Sequence, residues 1–286
     1  MSSRSPTSYL QDDGLPTPEV GSWAEEKYRL ANLYNRLFST GMKKKWDSRV
    51  YIDLYAGAGR SRIRGTTHIL EASPLLALGV PDKFNKYIFC EKDRALIQAL
   101  QRRVLNQYPE IDVAYVEGDC NEKVGEITSK IPAHSSKRKV LSFCFIDPFD
   151  ISIEFETIRA LSQWFVDFLI VLAVGMDATR NEQFYTRPNN KRVDSFLGIS
   201  DWRTRWQKAS VKGITFRHFL SQEYANQMEA LGYKKVPLSK MKEVRSDEKN
   251  LPLYHLAFFS KHDLGYEFWD QVLKYSTDQQ LLPGIE

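Results

Sequence analysis

Large apolar side chains recur at helical intervals near the start of the chain, at Trp23, Tyr28, Leu30, Leu33, Tyr34, Leu37 and Phe38. This spacing predicts an amphipathic helix, and Gly41 is a helix stop signal. The preceding residues, 1–20, are rich in Ser, Thr, Pro, Asp and Gly. We therefore expect a flexible N-terminal arm over 1–20, followed by an ordered domain.

Short segments rich in β-branched and aromatic residues follow, and they alternate with helical patterns. The predicted strands are 50–55, 87–90, 113–116, 140–146 and 167–174, and the predicted helices are 74–78, 94–106, 122–130, 154–164 and 216–231. This alternation indicates an α/β fold with a mostly parallel sheet and helices on both faces. Two further strands, 240–245 and 254–259, flank a polar turn and predict an antiparallel C-terminal hairpin, which makes a seven-stranded sheet.

The composition is that of a globular protein, with 42% hydrophobic and 27% charged residues among 286. We expect a single domain over 21–286, with an inserted basic and aromatic segment at about 177–212. The longest apolar run, 168–174, is far shorter than the roughly 20 residues that cross a bilayer, so no membrane span is expected. The three cysteines lie on or beside apolar runs, which favours reduced core residues and a cytoplasmic location.

Acidic residues lie at or just after the carboxyl ends of four consecutive predicted strands. They are Asp53, Glu91, Asp119 and Asp147, in chain order. Ligands of open α/β sheets bind in the crevice outside the carboxyl ends of the strands. The common position of these acids predicts a ligand site at that edge, whereas each acid taken alone is equally typical of a solvated loop.

The segment DLYAGAGRSRI, residues 53–63, places two glycines directly after the first strand. Gly57 and Gly59 let the backbone approach a ligand closely, or only permit a tight turn. A dinucleotide fingerprint requires a third glycine where Arg62 stands, so pyrophosphate recognition is disfavoured. S-adenosylmethionine fits better, because it offers an amino group, a ribose and an adenine but no phosphate. The candidate cofactor-binding residues are Asp53, Tyr55, Gly57, Gly59, Glu91, Lys92, Asp119 and Cys120.

The segment FCFIDPFD, residues 143–150, ends the fourth strand with a carboxylate, a proline and an aromatic ring. Asp147 can accept a hydrogen bond from an exocyclic amine, a backbone carbonyl at Asp147 or Pro148 can accept a second, and Phe149 can stack on the base. Asp147, Pro148 and Phe149 are therefore the candidate catalytic residues. In the alternative interpretation, Pro148 only terminates the strand and Phe149 belongs to the core.

Several basic residues are candidates for nucleic-acid contact. Arg60, Arg62 and Arg64 alternate along an extended segment and would point to one side, near the proposed cofactor. The other candidates are Lys44, Arg180 and Arg203, which lie close to tryptophans or after the fifth strand. Such runs are also typical of solvated faces, and Trp202 with Trp206 is typical of a core helix. The histidines lack metal-ligand spacing, so no metal site is expected.

The sequence resembles the three-Cys-motif partner protein family, a bacterial group related to Rossmann-like S-adenosylmethionine-dependent methyltransferases. The resemblance runs from about residue 23 to 279, through YIDLYAGAGRSRI, SPLLAL, FCEKD, GDCNE, SFCFIDPFD, GMDATRN, NLPLYHLAFFSKH and KYSTDQ. It implies a Rossmann-like methyltransferase fold and a partner with three cysteines that resembles radical S-adenosylmethionine enzymes. The DPF motif, residues 147–149, is also similar to the motif of guanine-N2 tRNA methyltransferases. Adenine and cytosine amino-methyltransferases usually carry a second proline where this chain has Phe149, which disfavours an adenine-N6 target.

These observations lead to three hypotheses about function. The first is an S-adenosylmethionine-dependent methyltransferase that modifies a base amine in RNA or DNA. The second is a non-catalytic subunit that keeps this fold and binds the three-cysteine partner. The third is a nuclease, because FCEKD, residues 89–93, contains an acid beside a lysine, but it lacks the usual acid-x-lysine spacing.

Overall fold

The predicted strands and the helices between them occur along the chain in the predicted order, and three short strands, Glu19–Val20, Arg60–Ile63 and Ile69–Glu71, were not predicted. The computed structural model describes residues 10–175, 181–246 and 250–277. Its strands are β1 (Glu19–Val20), β2 (Ser48–Asp53), β3 (Arg60–Ile63), β4 (Ile69–Glu71), β5 (Lys86–Glu91), β6 (Val113–Glu117), β7 (Val140–Ile146), β8 (Val166–Leu172), β9 (Lys242–Arg245) and β10 (Pro252–Phe259).

The helices fill the gaps between these strands and close the chain. They are α1 (Ala24–Met42), α2 (Ser73–Leu78), α3 (Arg94–Gln107), α4 (Cys120–Ser129), α5 (Phe155–Leu161), α6 (Glu182–Tyr185), α7 (Arg192–Leu197), α8 (Trp202–Ser210), α9 (Phe216–Ala230) and α10 (Asp263–Thr277). A 3₁₀ turn spans Leu238–Lys240. The last helix, α10, was not predicted, and none of the described helices is long and apolar enough to cross a membrane.

The large sheet has seven strands in the order β6-β5-β2-β7-β8-β10-β9. Neighbouring strands from β6 to β8 are parallel, and β10 runs antiparallel to both β8 and β9. The predicted seven-stranded sheet with a C-terminal hairpin is therefore confirmed. From β2 the chain winds outward to β5 and β6, and then returns to the other side at β7. This reversal creates a crevice between the carboxyl ends of β2 and β7.

Both faces of this sheet are buried, as the alternation within each strand requires. Val50 and Ile52 of β2 pack on one face, in a core shared with α4, α5 and α7–α9. Tyr51 packs on the opposite face, in a second core shared with α1, α2, α3 and α10. Helices thus cover both faces. The three cysteines are buried and unpaired, as predicted.

Residues 10–20 differ from the expected flexible arm, because they are pinned to the domain. Strand β1 pairs with β3, which pairs in turn with β4 in a small three-stranded sheet. Arg103, only 1% exposed, donates two hydrogen bonds to the Asp13 carboxylate at 2.7 and 2.8 Å. It also donates to the carbonyl oxygens of Pro16 and Ala58, at 3.0 and 2.7 Å. A buried guanidinium thus holds a segment whose composition alone suggested disorder.

The described part of the predicted insertion, residues 181–212, forms α6, α7 and α8. These short helices carry Tyr185, Phe196, Trp202 and Trp206 into the same core as the adjacent face of the large sheet. The two tryptophans are therefore core residues, which was the alternative interpretation of their helical spacing.

Candidate active site

A cavity of about 930 Å³ opens at the carboxyl edge of the large sheet. Its lining includes the glycine turn after β2, Glu91 at the end of β5 and Asp147 after β7, while the N-terminal segment and α1 form one wall. This volume lies within the range typical of ligand pockets. A second, more open depression of about 590 Å³ is lined by α8 and α9 and contains none of the strand-end acids.

The glycine turn bends sharply and points a backbone amide at Glu91. Gly57 and Gly59 have φ angles of 59° and 78°. The Gly57 N–H donates to Glu91 Oε2 and the Asp93 N–H donates to Glu91 Oε1, both at 2.8 Å. A Cβ on Gly57 would meet nothing within 4 Å, whereas one on Gly59 would lie 2.7 Å from Leu100 Cδ1. Gly57 therefore leaves room in the cavity, and Gly59 allows close packing on α3.

Asp53 lies beneath the cavity rather than in its wall. The residue is fully buried, and its carboxylate accepts hydrogen bonds from the Tyr51 hydroxyl and the Tyr55 N–H, both at 3.2 Å. Burial raises the pKa of Asp53 to about 7, although a hydrogen bond from Ser73 acts in the opposite direction. Direct contact between Asp53 and the cofactor, as we predicted, does not match this position. Asp53 supports the glycine turn from below.

Asp119 and Cys120 lie behind two residues that do line the cavity, Lys92 and Tyr55. Lys92 Nζ lies 3.0 Å from Asp119 Oδ2, and Asp119 caps α4 by accepting the Asn121 N–H at 3.0 Å. Burial acts to raise the pKa of Asp119, but the Asn121 N–H and Lys92 outweigh it and hold that pKa below its usual value. The Cys120 thiol is buried, and burial raises its pKa to about 11. Neither Asp119 nor Cys120 lines the cavity, so direct contact of these two residues with the cofactor, as we predicted, does not match their positions.

Asp147, Pro148 and Phe149 all line the cavity. The Phe149 side chain is 94% exposed, so the interpretation of this residue as part of the core is wrong. An aromatic ring held in solvent beside a cavity is available for stacking on a planar ligand. Asp147 faces inward, and its Oδ2 atom accepts a hydrogen bond from Lys27 Nζ at 2.5 Å.

Lys27 is the main site residue that the sequence analysis missed. Its side chain is only 10% exposed and that of Asp147 only 14%, so the pair is largely withdrawn from water. Burial lowers the pKa of Lys27, but Asp147 together with Tyr28 and Asp53 raises it above its usual value. The signal was present in the sequence, because Lys27 falls within the apolar stripe of α1, where a charged residue requires a partner.

The three arginines after the glycine turn are already paired with acids of the N-terminal segment. Arg60 lies 3.0 Å from Asp13, and Arg62 lies 2.5 Å from Asp12. Arg64 pairs more loosely with Glu19, at 4.0 Å. Arg60 and Arg64 line the cavity and Arg62 does not. The three arginines are therefore not a set of unpaired cations that face the cavity together.

The remaining basic candidates are scattered. Arg203 binds within the protein: it donates to Asp194 at 2.9 Å and to the Thr186 carbonyl at 3.2 Å, and it stacks on Trp202 at 4.3 Å. The guanidinium group of Arg203 is therefore engaged in contacts within the protein, and this position does not match the predicted contact with nucleic acid. Lys44 follows α1 and precedes β2, so it lies at the sheet edge opposite the cavity. Arg180 lies outside the described residues.

The structure also brings together three groups that sequence spacing did not connect. One ligand atom from each of His218, Glu243 and His255 lies within 4.8 Å of the others. Arg217 and Arg245 both donate hydrogen bonds to the Glu243 carboxylate. Burial lowers the pKa of His255 to about 4. Two guanidinium groups already neutralise the only carboxylate of this cluster, so its electrostatics disfavour a bound cation.

Comparison with known proteins gives likenesses of fold only. No family model matches the chain, and no curated protein does. Among solved structures, the chain is similar to the O-methyltransferase TomG from Streptomyces achromogenes in complex with SAM, at 9% identity and a TM-score of 0.44, covering 89% of this chain and 92% of that one. It is also similar to Trm1 from Pyrococcus horikoshii with S-adenosyl-L-methionine, at 10% identity and a TM-score of 0.45, covering 89% and 61%. The Rossmann-like assignment rests on the strand order described above.

Proposed function

We propose that this protein is an S-adenosylmethionine-dependent methyltransferase that acts on a base amine in nucleic acid. The observation that carries the proposal is one cavity at the topological reversal of the sheet, lined on one side by the Gly57–Glu91 contact and on the other by Asp147, Pro148 and an exposed Phe149. The first side suits a nucleoside cofactor. The second suits a planar acceptor that carries an amine.

The glycine turn fits a nucleoside without phosphates better than a dinucleotide. In dinucleotide sites the turn leads into a helix whose N-terminal amides bind the pyrophosphate. Here the turn leads instead into β3, and the next helix, α2, begins only at Ser73. Helix α3, which follows the adjacent strand β5, is capped at its N-terminus by Asp93, whose carboxylate accepts hydrogen bonds from the Ala95 and Leu96 N–H groups. The N-termini of α1 and α2 that border the cavity lack a side-chain cap, but neither of them follows the glycine turn directly.

The residues of the cavity divide into two sets. Glu91, already oriented by two backbone amides, retains lone pairs for ribose hydroxyl groups, and Gly57 provides the space beside them. When bound, S-adenosylmethionine supplies an electrophilic methyl group on a sulfonium sulfur. Asp147 and the Pro148 carbonyl orient the acceptor amine through its N–H groups, and Asp147 is placed to hold the proton that the amine gives up. Phe149 stacks on the acceptor ring.

The proposal is tested first by calorimetric titration of the whole protein with S-adenosylmethionine and, separately, with NAD. We expect binding of S-adenosylmethionine in the micromolar range and no measurable heat with NAD, because the turn offers ribose contacts but no pyrophosphate site. Preferential binding of NAD would contradict the proposal. Binding of neither ligand would favour the non-catalytic subunit, in which case Phe149 and the Lys27–Asp147 pair form a docking surface for the three-cysteine partner.

A long nucleic-acid substrate would have a second contact, remote from the base in the cavity, on a basic surface at the opposite edge of the sheet. We call it the loop-edge patch and define it as Lys44, Lys45, Lys137, Arg138 and Lys139. All five residues are exposed, and none of them forms an ion pair within the described part of the chain. Lys44 of this patch was already among the nucleic-acid candidates of the sequence analysis.

Hydrogen bonds hold the two loops of the patch side by side. The Asp47 N–H donates to the Lys139 carbonyl at 3.0 Å, and the Lys139 N–H donates to Asp47 Oδ2 at 2.8 Å. An aromatic cluster lies between the loops, where the rings of Trp46, His134 and Phe165 have centroids 4.4 to 6.0 Å apart. Cations beside partly exposed rings are the elements that bind a single nucleic-acid strand.

Reversing charge in the loop-edge patch should weaken RNA binding in a salt-dependent way. For the double variant Lys44→Glu, Lys139→Glu, each lost phosphate contact should reduce the slope of log K against log salt by roughly 0.7. The measurement is fluorescence anisotropy with a single-stranded RNA over a series of salt concentrations. Lys212→Glu, an exposed lysine in the loop between α8 and α9, is the control. An unchanged slope in the double variant would remove this surface from the proposal.

A further inference from the structure

Lys27 and Asp147 present a donor and an acceptor side by side at the cavity. Their contacting atoms are 2.5 Å apart, and both side chains keep a small exposed fraction toward the cavity that they line. Lys27 Nζ carries three donor hydrogens, and Asp147 carries two acceptor oxygens. Within the described part of the chain, only one hydrogen bond joins them, so each retains capacity for a ligand.

We infer that this pair recognises an amidine edge, in which an amino group lies beside a ring nitrogen that accepts a hydrogen bond. This inference rests on the proposed function and names its acceptor class. Asp147 Oδ1 accepts an N–H of the amino group while Lys27 Nζ donates to the ring nitrogen. The edge occurs at N4 and N3 of cytosine, N6 and N1 of adenine, and N2 and N3 of guanine.

Lys27 adds a selection that Asp147 alone cannot make. A carboxylate accepts an N–H from almost any amine, including an aliphatic one. A buried ammonium that is denied its acceptor pays a desolvation penalty, so ligands without the ring nitrogen are rejected. The neighbouring groups support this arrangement. The centroid of the Tyr28 ring lies 4.9 Å from Lys27 Nζ, and the Tyr28 hydroxyl shares a hydrogen bond with the Ser61 hydroxyl at 3.3 Å. Tyr254 lines the same wall of the cavity.

The test compares each nucleoside with the analogue in which a carbon replaces the ring nitrogen. The pairs are adenosine with 1-deazaadenosine, cytidine with 3-deazacytidine, and guanosine with 3-deazaguanosine, each titrated into the whole protein by calorimetry. In at least one pair we expect the parent to bind about ten-fold or more tightly than the analogue, which is the effect of one hydrogen bond to a charged group. Lys27→Met should remove the difference. Lys86→Met, a lysine paired with Asp112 at the other end of β5, should retain it.

Equal affinities within all three pairs in the unmodified protein would overturn the inference, and this comparison needs no variant to fold. Failure of every nucleoside to bind, while S-adenosylmethionine binds, would also overturn it and would leave the proposed methyltransferase function intact. Failure of both ligand classes would remove the proposed function as well. A difference that persists in Lys27→Met would show that another group donates to the ring nitrogen, and it would overturn the role inferred for Lys27.

Discussion

Replacing Asp147 by asparagine is expected to reduce methyl transfer to nucleic acid by about 10³-fold, because the amine loses a charged acceptor that orients it and holds its proton. Affinity for S-adenosylmethionine should change by no more than a few-fold, since Asp147 lies on the acceptor side of the cavity. The measurement is incorporation of labelled methyl groups into total RNA and DNA, together with calorimetric titration of the cofactor. A parallel loss of both properties would indicate a structural role for Asp147.

A control is needed because Asp147→Asn leaves the buried Lys27 cation without its partner. Breaking a buried ion pair from one side typically lowers the free energy of unfolding by about 3–5 kcal/mol. The double variant Lys27→Met, Asp147→Asn removes the unpaired charge and should recover most of that stability without recovering transfer. Asp112→Asn, which removes an exposed partner of Lys86, is a matched variant outside the cavity. Recovery of transfer in the double variant would contradict the role assigned to Asp147.

Replacing Gly57 by valine is expected to weaken S-adenosylmethionine binding by about 100-fold, which is roughly 2.8 kcal/mol of binding free energy. The φ angle of 59° disfavours a β-branched side chain, and a Cβ at this position points into open cavity space. The new side chain would therefore occupy the space beside Glu91 and shift the turn. Calorimetric titration of the variant measures the effect directly.

Gly213→Val is the control that separates the effect of backbone strain from the loss of binding space at the glycine turn. Gly213 has a φ angle of 75°, and a Cβ there also meets nothing within 4 Å, but it lies in the loop between α8 and α9. Both variants should lose similar stability in urea denaturation, and only Gly57→Val should lose cofactor affinity. Equal cofactor affinity in the two variants would mean that the glycine turn is not part of the binding site.

The order of strands and the strand-end acids could be predicted because they depend on local patterns. Each buried strand is a short apolar run, and the acids follow directly in sequence, so Glu91 and Asp147 were both found at the cavity. Whether an acid faces the ligand depends on the direction of one side chain. Asp53 turns inward to Tyr51 and the Tyr55 amide, and no pattern in the sequence indicates this.

Partners far apart in the chain could not be predicted. The Lys27–Asp147 contact joins residues 120 positions apart, and the Arg62–Asp12 contact joins residues 50 positions apart. The alternating arginines were recognised, but their acidic partners come from a segment that was expected to be flexible. A lysine inside the apolar stripe of α1 was the one local sign that a buried charge needed a partner.

Arg103 imposes an order on folding. The guanidinium that holds Asp13 lies 90 residues further along the chain, so the segment around Asp13 cannot reach this native contact until α3 has been synthesised. The following residues, 18–20, belong to the cavity wall. The segment that precedes α1 therefore takes its place only after α3 is present, and the ligand cavity stays incomplete until that segment closes its wall.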